Sequence, residues 1–210
     1  VSMTTMFSRE CKCALCGAIN QCDSLGSTNN FGGLDTEFRS YAIGVDPITA
    51  YLQRCTACGY TSYDLGKKLS SKAVLEVKSI IGEFFSVEKC NKEKMPLCKQ
   101  YELAAIIMKG IRTPSEDVAE TLLRAAWMAD DDDQSLLAKQ YRKKAADILS
   151  LKLSVEKDLS TQAEQMFRLA EIYRRSGEFQ LSLDTHEKIT TDKLHPDLQL
   201  AALKLKQLCR

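Results

Sequence analysis

The sequence predicts a mainly α protein, with an N-terminal small β zinc ribbon followed by antiparallel helical hairpins of tetratricopeptide (TPR) type. Three observations predict it. Two copies of Cys-x-x-Cys-Gly, "CALCG" (13–17) and "CTACG" (55–59), stand in the first third of the chain. Residues 1–66 hold seven of the ten glycines and show short, strand-like alternation rather than helical periodicity. From residue 67 onward apolar residues recur every three or four positions, as on a helix packed along one face. The chain therefore divides into a zinc-ribbon domain over 1–66 and a TPR-like α-helical domain over 67–210.

In the ribbon, the two knuckles carry the chemistry. Two cysteines separated by two residues can aim both sulfurs at one point. A glycine directly after the second lets the chain turn back with its N–H groups facing the sulfurs. One knuckle offers two thiolates, and two supply the four ligands of a tetrahedral zinc ion. Cys13, Cys16, Cys55 and Cys58 thus form one predicted all-cysteine site for one Zn2+ per chain, its halves separated by a 38-residue segment. Iron in a rubredoxin-type site uses the same ligands and stays open. A thioredoxin-like redox pair needs a βαβ context, which neither knuckle has. Cys11 and Cys22 are the rival ligands, although Cys11 stands too close to Cys13 for a usual knuckle. "YLQRC" (51–55) and "FRSYAIGV" (38–45) read as short strands, the latter ending at Asp46-Pro47.

The helices follow in order. Leu69, Ala73, Val77, Ile80 and Phe84 place one over 68–88. Leu97, Tyr101, Ala104 and Met108 mark a second. Thr113-Pro-Ser-Glu116 has capping-box form and opens a third with Val118, Leu122, Ala125, Ala126 and Ala129. Beyond "DDDD" (130–133), Leu137, Tyr141, Ala145 and Ile148 carry a fourth. Thr161-Gln-Ala-Glu164 starts a fifth with Ala163, Met166, Phe167, Ala170 and Tyr173. Gly177, suited to a left-handed turn, separates it from a sixth with Phe179, Leu183, His186 and Ile189. The last spans 197–209. Within 161–190, Leu169, Ala170, Tyr173, Gly177 and the small Ser182 fall at TPR spacing, and 118–149 repeats the pattern more loosely, with Asp133 at the turn.

Composition excludes several classes. A formal net charge of +1 argues against a strongly electrostatic grip on nucleic acid, and the basic clusters "KK" (67–68), "YRKK" (141–144) and "YRR" (173–175) are short and interleaved with acids. No apolar run approaches the roughly 18 residues of a membrane span. The first ten residues lack a basic-then-apolar leader pattern. A cytoplasmic protein with reduced thiols is the expectation. Cys98 and Cys209 fall in helical patterns and read as small apolar residues; Cys90 lies in a polar stretch with no histidine near it.

The order of parts resembles a family of uncharacterised, mainly bacterial proteins (domain of unknown function 2225). The resemblance rests on "CALCG", on "DTEFRSYAIGVDPITAYLQRCTACGYTSYDLG" (35–66), on "RAAWMADDDDQSLLAKQYRKKA" (124–145) and on "LAEIYRRSGEFQLSL" (169–183). The segment linking Asp35, Arg39, Tyr41, Gly44 and Pro47 to the second knuckle is its most specific part. The resemblance implies zinc and helical repeats, and no activity.

Function reads most simply as a non-catalytic zinc-binding scaffold or adaptor for a protein or peptide partner. Four cysteines close the zinc shell, which leaves no position for a reactive water. His186 sits on an apolar helix face and His195 at a helix start, and no phosphate-binding glycine loop is present. "DDDD" reads as a solvated turn whose acids favour the next helix N-terminus. Asp35, Arg39 and Tyr41 read as structural or recognition residues of the ribbon, with an Asp–Arg pair folding the long segment back. Stacked hairpins leave a concave face, on which Arg124, Arg168, Glu171 and Arg175 are the candidate partner contacts. The alternatives are a nucleic-acid-associated ribbon protein and an enzyme with an unrecognised site.

Overall fold

The computed structural model describes residues 3–89, 94–153 and 158–209; Cys90 and part of the connection "LSVEKDLS" fall outside them. Strands β1 (Thr5–Lys12) and β2 (Ile19–Ser27) form an antiparallel hairpin around the first knuckle, with Cys11 opposite Asn20 and Arg9 opposite Cys22. A one-turn helix α1 (Ile48–Tyr51) leads into β3 (Gln53–Arg54), which pairs with β4 (Thr61–Ser62) around the second knuckle. Helices α2 (Ser71–Glu88), α3 (Leu97–Gly110), α4 (Ser115–Asp131), α5 (Ser135–Leu153), α6 (Leu159–Ser176), α7 (Phe179–Glu187) and α8 (Pro196–Leu208) follow. The molecule is mainly helical, with a small β ribbon and then helical hairpins.

The strand expected over 38–45 does not form. Phe38 takes a left-handed φ of 65°, and only an isolated bridge joins Leu34 to Ser40. The cause is Asp35, whose Oδ1 accepts the backbone N–H groups of Glu37 and Arg39 and curls the chain into a tight loop. The expected capping boxes also differ. Pro114 is the residue before α4 and makes no side-chain cap. Asp158 caps α6 by accepting the N–H of Thr161, and so stands three residues ahead of Thr161, the expected cap.

Helix α4 is buried on nearly every side, because α3 and α5 flank it and the ribbon covers it. Ala126, Ala138 and Ala145 are fully buried, and their small side chains let α4 and α5 pack closely. Its turn is closed by Asp133 at φ 58°, a conformation aspartate tolerates better than most residues. Gly177 ends α6 at φ 87°, with the N–H of Glu178 returning to the Tyr173 carbonyl. Ser182 then lets α7 approach α6 closely and donates to the Ala170 carbonyl at 2.8 Å.

Three apolar clusters organise the chain. The largest joins α3, α4, α5 and α6 with Ile48 and Leu52 of the ribbon. A second joins Cys13, Cys22, Cys55, Tyr60 and Leu65 to Val77, Ile81, Phe84, Leu103 and Ile107 of α2 and α3. The third holds Phe167 of α6 against Ile189, Leu194, Ala202 and Leu205, with Phe38 packed on it.

Candidate metal centre

Both knuckles have the same backbone geometry. The N–H of Gly17 returns to the Cys13 carbonyl and that of Gly59 to the Cys55 carbonyl, each at 2.8 Å. The N–H of Cys13 reaches the Ala18 carbonyl and that of Cys55 the Tyr60 carbonyl, again at 2.8 Å. Gly17 and Gly59 sit at φ 80° and 82°, where a side chain is strained. Gly59 is doubly constrained, since a Cβ there would lie 2.5 Å from the Phe85 ring.

This geometry brings the four sulfurs of Cys13, Cys16, Cys55 and Cys58 within 4.8 Å of one another. Across the knuckles, Cys13 Sγ lies 3.7 Å from Cys58 Sγ and Cys16 Sγ 3.6 Å from Cys55 Sγ. A tetrahedral zinc with sulfurs at about 2.3 Å sets its sulfurs about 3.8 Å apart. The four residues therefore fit a tetrahedral metal ion, and such an ion would supply the cross-link between the knuckles. Cys13 and Cys55 are buried, Cys58 is partly covered, and Cys16 faces solvent.

Neighbouring groups tune the sulfurs. Burial pushes the Cys13 and Cys58 thiols up. Cys55 is drawn down to about 7 although burial opposes it, because the Cys58 backbone, the Cys16 thiol and Asn20 all favour its thiolate. The Asn20 amide donates to Cys55 Sγ at 3.5 Å and to the Ala18 carbonyl, while its oxygen accepts the N–H of Thr56. One buried side chain on β2 thus ties both knuckles together, as outer-shell groups of metal sites do. No spacing rule in the sequence marks Asn20.

Cys11 and Cys22 lie outside the cluster. Their sulfurs join in a disulfide across the hairpin, with Cα atoms 6.2 Å apart, where a protein with reduced thiols was the expectation. Cys98 is buried in the main core, and Cys209 lies partly covered beside Ser182.

The long segment between the knuckles folds onto the helices through ion pairs that sequence reasoning missed. Glu37, fully buried, accepts Nε and Nη2 of Arg142 at 2.8 and 2.7 Å and the Trp127 indole N–H at 3.1 Å. Arg142 also reaches Asp130 at 2.6 Å. Arg39 does not pair with Asp35: its guanidinium bonds Asp46 and Asp131 and stacks against the rings of Tyr41 and Trp127. Two of the four "DDDD" acids, Asp130 and Asp131, are therefore ion-pair partners while remaining exposed.

The four expected partner contacts are occupied within the chain. Arg124 lies between the rings of Tyr51 and Tyr63 and donates to the Tyr63 hydroxyl at 2.8 Å. Arg168 donates to the Glu37 carbonyl at 2.7 Å and to Glu120. Glu171 is fully buried and bonded to Thr36, Arg174 and Arg175. Arg175 also pairs with Asp35 and Glu37. All four therefore face residues of the ribbon. His186 is buried beside the Phe167 ring, as its apolar helix face implied.

No helix among the described residues is long and apolar enough to cross a membrane. No curated protein and no solved structure matches the chain. A family model does, over residues 6–208, a span holding both knuckles and every helix described above. The chain belongs to the family of uncharacterised proteins conserved in bacteria known as domain of unknown function 2225.

Proposed function

We propose that the protein is a non-catalytic interaction module, stapled by one zinc ion and receiving a protein partner on TPR-like helical hairpins. The observation that carries this reading is the closed sulfur tetrahedron: each corner is a cysteine of this chain, so a bound ion keeps no position for substrate or water. Such an ion fastens two chain segments that share too little core of their own. Soft thiolates favour zinc, and iron in the same shell is redox-active where zinc is not. The second support is architectural, because α4, α5 and α6 together grip a loop of the ribbon, and a surface able to hold one loop is able to hold another.

Crosslinking of the protein in host extract, with contact sites mapped by mass spectrometry, tests the role. A saturable partner contacting residues 97–210 is the expected result. Contacts confined to residues 3–66, or none above background with the helices intact, would overturn it.

A further inference from the structure

The loop Asp35–Arg39 is held as a ligand is held. It is closed on itself before it meets the helices: Leu34 bridges Ser40, the N–H of Asp35 bonds the Arg39 carbonyl, and Asp35 Oδ1 caps two backbone N–H groups. Its tip then enters a socket whose walls are Trp127 of α4, Arg142 of α5, and Phe167, Arg168, Glu171 and Arg175 of α6. Thr36, Glu37 and Phe38 at the tip each have partners on the helices. The Glu37 carboxylate takes the Arg142 fork and the Trp127 N–H. Its backbone carbonyl takes Arg168 Nε. The Thr36 hydroxyl donates to Glu171 at 2.7 Å and accepts from Arg175 at 3.2 Å. The Phe38 ring stacks on Phe167 with centroids 6.2 Å apart, under the Arg168 guanidinium.

Without the loop, the socket would present Arg142, Arg175 and the Trp127 N–H toward one point beside the exposed face of Phe167. Planar, forked donors around a single position select a carboxylate, and the adjoining ring selects an aromatic. The socket is built from helix faces 90 to 139 residues from the loop in sequence, so it is a surface of the helical part and not a local turn.

We propose that this socket is a recognition site for a tight loop of sequence type Asp-x-Glu-aromatic, occupied in cis by Asp35–Arg39 and taken in trans by such a loop on a partner protein. The proposal rests on the interaction role above and names its site and ligand chemistry. A tethered loop competes at an effective concentration in the millimolar range. A trans loop therefore binds the wild-type chain about 100-fold or more weakly than a chain whose own loop is released.

The test uses the full chain and a cyclised peptide of residues 32–41 as probe. Trp127, the only tryptophan of the sequence, reports on the socket by fluorescence. In a Glu37→Ala/Phe38→Ala chain the peptide should bind saturably and about 100-fold more tightly than to wild type, and its Glu→Gln version should not. The single Phe38→Ala chain, which keeps the buried ion pair, should show a gain of about 5- to 10-fold and serves if the double variant does not fold. Equal affinity for wild-type and released chains, equal binding of the Glu→Gln peptide, or no binding at all to a released chain of native circular dichroism would overturn the proposal. Absence of peptide binding while extract crosslinks still map to 97–210 would sink this inference alone. Absence of any extract partner would sink the interaction role.

Discussion

Glu37 is fully buried, and Arg142 nearly so, at 2% exposure. Such a pair recovers its desolvation only if both groups find further partners. Here Trp127 and Arg175 complete the carboxylate and Asp130 the guanidinium, so that burial, which works against the Arg142 charge, is outweighed by Glu37 and Asp130. Removing one partner strands the other. Arg142→Met should cost about 3–5 kcal/mol in urea unfolding, whereas a cost below about 1 kcal/mol would show that the pair is not buried in solution. Gly59→Ala should also destabilise, since it adds a left-handed strain to a clash with Phe85. His186 gives a pH dependence. Burial lowers its pKa from the ordinary 6.5, so the unfolded chain binds its proton first as pH falls. This contribution to stability is full above 6.5 and is lost between 6.5 and the depressed folded value. His186→Leu should flatten that part of the melting-temperature profile; an unchanged slope would mean that the imidazole is solvated.

At the scale of elements, the ribbon and helices α2 and α3 share one core around Leu65, Val77 and Ile107. Metal binding stabilises folded modules of this kind by on the order of 10 kcal/mol. Chelation should therefore speed amide exchange in β3, β4 and both knuckles most, in α2 and α3 next, and in α4 to α6 least. Uniform loss across every helix would contradict that order. Protonation of the thiols at low pH should release metal in the same sequence of events, since only thiolates ligate. The β1–β2 hairpin brackets the first knuckle with the Cys11–Cys22 disulfide. Neither sulfur belongs to the cluster of four, so Cys11→Ser and Cys22→Ser should leave metal content unchanged while costing about 2–3 kcal/mol of ribbon stability. A halved metal content in either would revive it as a ligand.

For the whole molecule, the loop between the knuckles makes ribbon and helices interdependent through contacts distant in sequence. Arg39 joins Asp46 to Asp131. Arg39→Ala should lower the melting temperature and leave metal content intact, which separates docking from ligation; loss of metal in that variant would join them. The cluster of four sulfurs was legible because four cysteines at knuckle spacing with two glycines admit few other structures. The helices were legible because one face of each is apolar at period 3.6, as Val118, Leu122 and Ala126 are. The β1–β2 hairpin was not: "TMFSRECK" is exposed along almost its whole length and so shows no alternation. The Glu37 socket was not legible either, because an ion pair between positions 37 and 142 leaves no spacing to read and each partner alone looks like a solvated charge. Phe38 misled the strand reading, since an aromatic at left-handed φ is rare.

The central claim is that Cys13, Cys16, Cys55 and Cys58 hold one metal ion in a closed shell. X-ray absorption at the metal edge of the purified full-length protein, with elemental analysis of the same sample, tests it most directly. One zinc per chain with four sulfurs at about 2.3 Å, and no metal in Cys58→Ser, is the predicted result. A nitrogen or oxygen in the shell, retention of metal by Cys58→Ser, or a natively folded chain that takes up no metal would contradict it.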